Sequence, residues 1–143
     1  MSREEALATL RRAADAGLVH SVSNTKEGLH YICNCCICSC GILRGIASLG
    51  IANVIARSAF VNRVDETSCN SCAACIDACP FEALSMETSL RVDEVRCVGC
   101  GVCAPACPSE ALGLVRRPED EILPIPQTLE DWGEWRTAAR SSL

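Results

Sequence analysis

Ala6, Leu7, Leu10, Ala13 and Ala14 recur at helical spacing and predict an amphipathic first helix that Gly17 ends. Ser2 suits its N-cap, and Glu5, three residues on, completes a capping box. Leu18–Val22 and Leu29–Ile32 read as short strands joined by a turn over Asn24–Gly28. Ile42 to Phe60 is the most apolar stretch; Ile42, Ile46, Leu49, Ile51, Val54 and Ile55 predict a helix broken at Gly50. It is too short to cross a bilayer, because Arg44 and Arg57 bound only twelve residues where a span needs about twenty. The middle of the chain then alternates short strands with loops. Beyond Arg116-Arg117-Pro118, the acidic stretch Glu119–Pro126 carries too many prolines for a helix and predicts an extended arm. Thr128-Leu129-Glu130-Asp131 opens a last helix toward Arg140, with Leu129, Trp132 and Trp135 at helical spacing.

The middle stretch is organised by cysteine. Cys69, Cys72, Cys75 and Cys79 are followed by Pro80, and Cys97, Cys100, Cys103 and Cys107 by Pro108. Both runs read C-x2-C-x2-C-x3-C-P, the spacing at which a tight loop wraps three thiolates around one face of an iron–sulfur cube. The runs belong to an internal repeat with a constant offset of 28 residues. Val64-Asp65-Glu66 precedes the first as Val92-Asp93-Glu94 precedes the second, and Glu82-Ala83-Leu84 follows as Glu110-Ala111-Leu112 does. Each half reads as a strand, a cysteine loop, a helical turn started by proline, and a strand. Each unit has fewer than thirty residues and is too small to bury a core alone, so bound clusters would supply what a larger core otherwise provides.

On these two runs, residues 59–117 resemble a bacterial-type ferredoxin with two [4Fe-4S] clusters. The resemblance implies an α+β, ferredoxin-like dicluster domain of two halves related by a pseudo-twofold. It also implies crossed ligation, the fourth cysteine of each run reaching the other cluster. One cluster is then expected on Cys69, Cys72, Cys75 and Cys107, the other on Cys97, Cys100, Cys103 and Cys79. Residues 1–58 become an N-terminal extension of helix, hairpin and cysteine-rich loop, and residues 118–143 an arm with a C-terminal docking helix.

Five further cysteines, Cys33, Cys35, Cys36, Cys38 and Cys40, fall within eight residues, too many for packing alone. In an extended backbone Cys36, Cys38 and Cys40 share one face, and Cys33 and Cys35 the other. Three chemistries compete: a third iron–sulfur cluster, a structural zinc, or a redox-active dithiol. The iron–sulfur reading takes Cys36, Cys38 and one or both of Cys33 and Cys40 as ligands, with Cys35 as spectator. His20 and His30 are candidate fourth ligands, each also explicable as a structural strand histidine. The run Gly17-Leu18-Val19-His20, then Ile32-Cys33-Asn34-Cys35-Cys36, then Leu43-Arg44-Gly45, is similar to a group of sparsely characterised 4Fe-4S-binding proteins. That group tends toward three consecutive cysteines at the end of the motif, where this chain has Cys38-Ser39-Cys40.

Composition bears on compartment and partner. Thirteen cysteines in 143 residues would suit a disulfide scaffold in a secreted chain. The N-terminus lacks the apolar run of a signal peptide, and thiolate ligation needs a reducing environment, so a cytosolic setting is expected. The formal charge is −5, and each oxidised four-thiolate cluster adds roughly two negative charges. Nucleic acid is therefore excluded as a partner, and a basic patch on a redox protein is favoured. The expected function is electron transfer, as a carrier or as a small oxidoreductase subunit. The alternatives are substrate binding at an open iron of the Cys33–Cys40 site, or a zinc-stabilised module on a ferredoxin. No carboxylate pair, glycine-rich phosphate loop or Ser/His/Asp set suggests an independent enzyme.

Overall fold

The computed structural model describes residues 1–50 and 55–140. Among them are four helices and three two-stranded antiparallel sheets. Helix α1 (Arg3–Asp15) starts at the expected capping box: Ser2 Oγ accepts the Glu5 amide at 3.2 Å, and a Glu5 carboxylate oxygen accepts the Ser2 amide at 2.7 Å. Gly17, at φ +71°, turns the chain into β1 (Val19–Ser21).

The partner of β1 is not Leu29–Ile32. It is β2 (Cys33–Cys35), built from the cysteine motif itself, in register Val19↔Cys35 and Ser21↔Cys33. Two things hold this later register. Val19, opposite Cys35, is buried in an apolar cluster, and the paired His20 and Asn34 hydrogen-bond through Nδ1 and Oδ1 at 2.6 Å. The expected helix over the apolar stretch is α2 (Gly41–Leu49), and it stops at Gly50 in the left-handed conformation. Ile51 and Val54, expected in the same stretch, lie outside the described residues.

Strand β3 (Phe60–Val64) pairs with β6 (Leu112–Arg116), and β4 (Leu84–Met86) with β5 (Leu90–Val92). The two sheets match at the 28-residue offset: Val64 faces Leu112 as Val92 faces Leu84. The hydrogen bonds repeat too. Asp65 N donates to Ala111 O as Asp93 N does to Ala83 O, each at 2.8 Å. One expectation fails in both halves, since neither proline starts a helical turn. The short helix α3 (Ala74–Asp77) lies inside the first cysteine loop instead. After Pro80 and Pro108 the chain makes a single turn that Glu82 (φ +50°) and Glu110 (φ +52°) end. A left-handed residue cannot continue a right-handed helix, and the strand begins two residues later.

The tail departs from a fully extended arm by one 3-10 turn, Glu119–Glu121. It then crosses the N-terminal region. Lys26 N donates to Pro126 O at 3.0 Å and Glu27 N to Gln127 O at 2.9 Å, and Pro126 is fully buried. Helix α4 (Leu129–Arg140) starts with Thr128 and Asp131 capping each other's amides. Leu129 and Trp135 are exposed, and the Arg136 guanidinium lies over Trp132.

Candidate iron–sulfur centres

The two cysteine loops leave their strands through the same device. Cys69 N donates to Asp65 O at 3.0 Å, and Cys97 N to Asp93 O at 2.8 Å. Both aspartates also hold their own loops. Asp65 accepts from Thr67 N and from the Thr67 and Ser68 hydroxyls, which hold its carboxyl down to about 2. Asp93 accepts from Val95 N and Arg96 N. Left-handed residues then separate the cysteines, Ser71 (φ +57°) and Ala73 (φ +63°) in the first loop, Gly99 (φ +72°) and Gly101 (φ +76°) at the equivalent positions of the second.

The structure brings together thiols from both runs. Cys75 is buried, and its pKa is raised, first by burial and then by the charges of Cys107, Cys72 and Cys69. Burial pushes the Cys103 thiol up to about 12, with further contributions from Cys79, Cys100 and Cys97. Cys100 is raised in the same way, by burial and then by Cys79 and Cys97. One cavity is lined by Cys79, Cys97, Cys100 and Cys103 together with Asn62 and Phe81. Between the two groups lies an apolar cluster of Leu84, Leu90 and Leu112, which buries Cys75 and Cys103.

The donors around the sulfurs suit thiolates better than thiols. Ala83 N donates to Cys79 Sγ at 3.4 Å, and Ala111 N to Cys107 Sγ at 3.3 Å, a matched pair across the repeat. Asn62 Nδ2 donates to Cys103 Sγ at 3.0 Å. Four cysteines on one cavity, with amide hydrogens aimed at their sulfurs, fit a [4Fe-4S] cluster, which is held by four thiolates and tuned by such bonds. Neutral thiols crowded at this spacing would gain little from the same donors.

Two contributors near the second group escaped sequence reasoning, Asn62 and Arg117. Both are buried and both depart from the repeat, with Leu90 and Ser89 at the equivalent positions. That departure was the signal available in the sequence. Arg117 Nη2 reaches Cys97 O at 3.4 Å, and Nη1 lies 3.5 Å from Glu121. A separate cavity of about 360 Å³ opens beside Cys97, lined by Ile46, Phe81, Val98, Leu123, Arg57 and Arg96 among others.

The five N-terminal cysteines divide differently from the expected grouping. Cys36 and Cys38 form a disulfide with their Cα atoms 5.3 Å apart. Cys35 instead neighbours Cys33 and Cys40, whose charges raise its pKa beyond the effect of burial. The cause is the length of β2. The strand ends at Cys35 and a turn follows, so the alternation that grouped Cys36, Cys38 and Cys40 is lost. Cys40 sits at the N-cap of α2, where the Leu43 and Ile42 amides lower its pKa despite an opposing contribution from burial. Cys35 and Cys40 pack on the same apolar cluster as Cys79 and Cys100, around Val19, Leu43, Ile46, Phe81 and Val102. His20 is bound to Asn34, and His30 lies outside both strands of the hairpin.

Residues 68–111 match the family model of the 4Fe-4S dicluster domain. Comparison with curated proteins gives no match. The matched segment holds both cysteine runs entire. The match is consistent with a dicluster ferredoxin segment, and it points to iron–sulfur electron transfer.

Proposed function

We propose that this chain, with its 4Fe-4S dicluster segment at residues 68–111, carries single electrons through two [4Fe-4S] clusters, as a carrier or a small subunit of an oxidoreductase system. Cys69, Cys72, Cys75 and Cys107 hold one cluster, and Cys97, Cys100, Cys103 and Cys79 the other. The observation that carries this reading is the neighbourhood of Cys75 and Cys103, each beside three cysteines that include one from the opposite run. The matched strand registers and hydrogen bonds support a pseudo-twofold between the halves. The clusters supply the one-electron chemistry; the chain supplies thiolates, N–H donors and an apolar surround that excludes water. Residues 59–117 form the redox domain, 1–58 an extension over the Cys97 side, and 118–143 a strap and docking helix. The partner is a redox protein with a basic face, since the chain carries −5 before any cluster is counted.

The Cys33–Cys40 loop is a third iron–sulfur site in this reading, with its ligands shifted to Cys33, Cys35 and Cys40. The shared packing of Cys35, Cys40, Cys79 and Cys100 supports a path ordered from the Cys69 group through the Cys97 group to this loop. One observation favours a second chemistry there, the Cys36–Cys38 disulfide. Opening it to two thiols takes up two electrons and two protons, which two one-electron centres can deliver in succession.

Crossed ligation is tested by Cys79→Ser. The variant should lose or alter the centre of Cys97, Cys100 and Cys103, with iron falling from the wild-type content by about four per chain. Loss confined to the Cys69–Cys75 centre contradicts the assignment.

A further inference from the structure

The two halves of the repeat agree in backbone, cysteine spacing and the N–H groups that reach Cys79 and Cys107. They disagree at one position in the first strand of each half, two residues before its last. In β3 that residue is Asn62, and the position 28 residues on, in β5, is Leu90. Asn62 is 2 % exposed, and its Nδ2 hydrogen points at Cys103 Sγ, 3.0 Å away. Its Oδ1 is buried with no hydrogen-bond partner among the described residues. Leu90 is equally buried, beside Cys75, and offers no donor.

A buried amide oxygen without a partner is unfavourable, and such an exception calls for a reason. Packing does not supply one, since leucine fills the equivalent position in the other half. Reversing the amide would set its oxygen against the sulfur, two acceptors facing each other once the thiol is a thiolate. The geometry therefore has one use, to give the Cys103 sulfur a donor that Cys75 lacks. We infer that Asn62 is a positioning residue that raises the reduction potential of the cluster on Cys97, Cys100, Cys103 and Cys79 alone, making the two clusters of the chain unequal.

The inference rests on the two-cluster reading above. Its sign follows from charge. Reduction adds an electron to a centre that is already negative, so a donor to a ligand sulfur stabilises the reduced form more than the oxidised one. Burial acts in the opposite direction, and the Cys97 group is the better covered, with Cys100 half-buried where Cys72 is exposed. Asn62 thus opposes the desolvation that would otherwise make this centre the harder to reduce. The buried Arg117 guanidinium, on the carbonyl of Cys97, acts in the same sense, though Glu121 lies beside it. Its equivalent in the first half is Ser89. The favoured centre is the one that shares an apolar cluster with Cys35 and Cys40, so the asymmetry biases electrons toward the N-terminal loop.

The test is an anaerobic redox titration of the full chain followed by EPR, on wild type and Asn62→Leu. The wave belonging to the Cys97 group is identified by its loss in Cys100→Ser. In Asn62→Leu that wave should move to more negative potential by about tenfold in its reduction equilibrium, or about 59 mV for one electron, while the wave of the Cys69 group stays fixed. Asn62→Val removes the same donor while adding less volume than leucine, and should give the same selective shift if the leucine variant loads poorly. Two waves that both stay in place, or a shift in the wave of the Cys69 group, would overturn the inference while leaving the two-cluster reading intact. A single wild-type wave that takes up two electrons would make the two clusters equal and overturn the inference alone, whereas iron of about four per chain or fewer would overturn the two-cluster reading and this inference with it.

Discussion

Gly99 and Ser71 occupy equivalent positions, both left-handed, yet only one can carry a side chain. A Cβ on Gly99 would lie 2.1 Å from Phe60 O and 2.8 Å from Ser58 Cβ. The obstacle is backbone at the start of β3, which cannot move without disturbing its pairing with β6. Gly99→Ala is therefore expected to destabilise the chain by on the order of 3 kcal/mol, read as a lower Tm and poorer iron retention. Ser71→Gly should change stability by less than about 1 kcal/mol. Equal behaviour of the two variants would mean that the second loop does not pack against β3 as described. The residue-scale pattern was legible in the sequence where it repeats, as in the spacing of the eight cysteines and the matched positions of Asp65 and Asp93. Where the repeat breaks, at Asn62 and Arg117, the significance needed three dimensions, because an asparagine in a strand says nothing of the sulfur it faces.

At the scale of elements, the caps of the three longer helices read correctly, whereas the two prolines did not start helical turns. Ser2 and Glu5 cap α1, Gly50 ends α2, and Thr128 opens α4, each through contacts within a few residues. Elements fixed by distant contacts read less well. Strand β2 moved onto Cys33–Cys35 because its register is set by Val19 and His20 across the hairpin. That shift also regrouped the five N-terminal cysteines. The tail has a local and a distant part. Its anchor is distant, the pair of backbone bonds from Lys26 and Glu27 to Pro126 and Gln127, whereas α4 beyond it keeps Leu129 and Trp135 exposed. Removing residues 118–143 should leave iron bound to the dicluster domain, about eight per chain there, while amide exchange over residues 24–28 speeds up. A truncated chain that retains no cluster would make the tail part of the redox core.

For the whole molecule, the central claim is a two-cluster electron path with a third iron–sulfur site at its N-terminal end. The two cysteine groups share one apolar cluster, and the Cys97 group shares another with the N-terminal loop, so burial and connectivity come from the same side chains. On the proposed reading, the formal charge of −5 calls for a redox partner of opposite sign. Iron, acid-labile sulfide and zinc counted per chain after anaerobic purification test this account most directly. It predicts about twelve irons with equal sulfide and no zinc. About eight irons would retain the dicluster core and remove the third site, with one zinc in its place favouring the structural module. Four irons or fewer per chain, in a protein purified without oxygen, would contradict the two-cluster path itself.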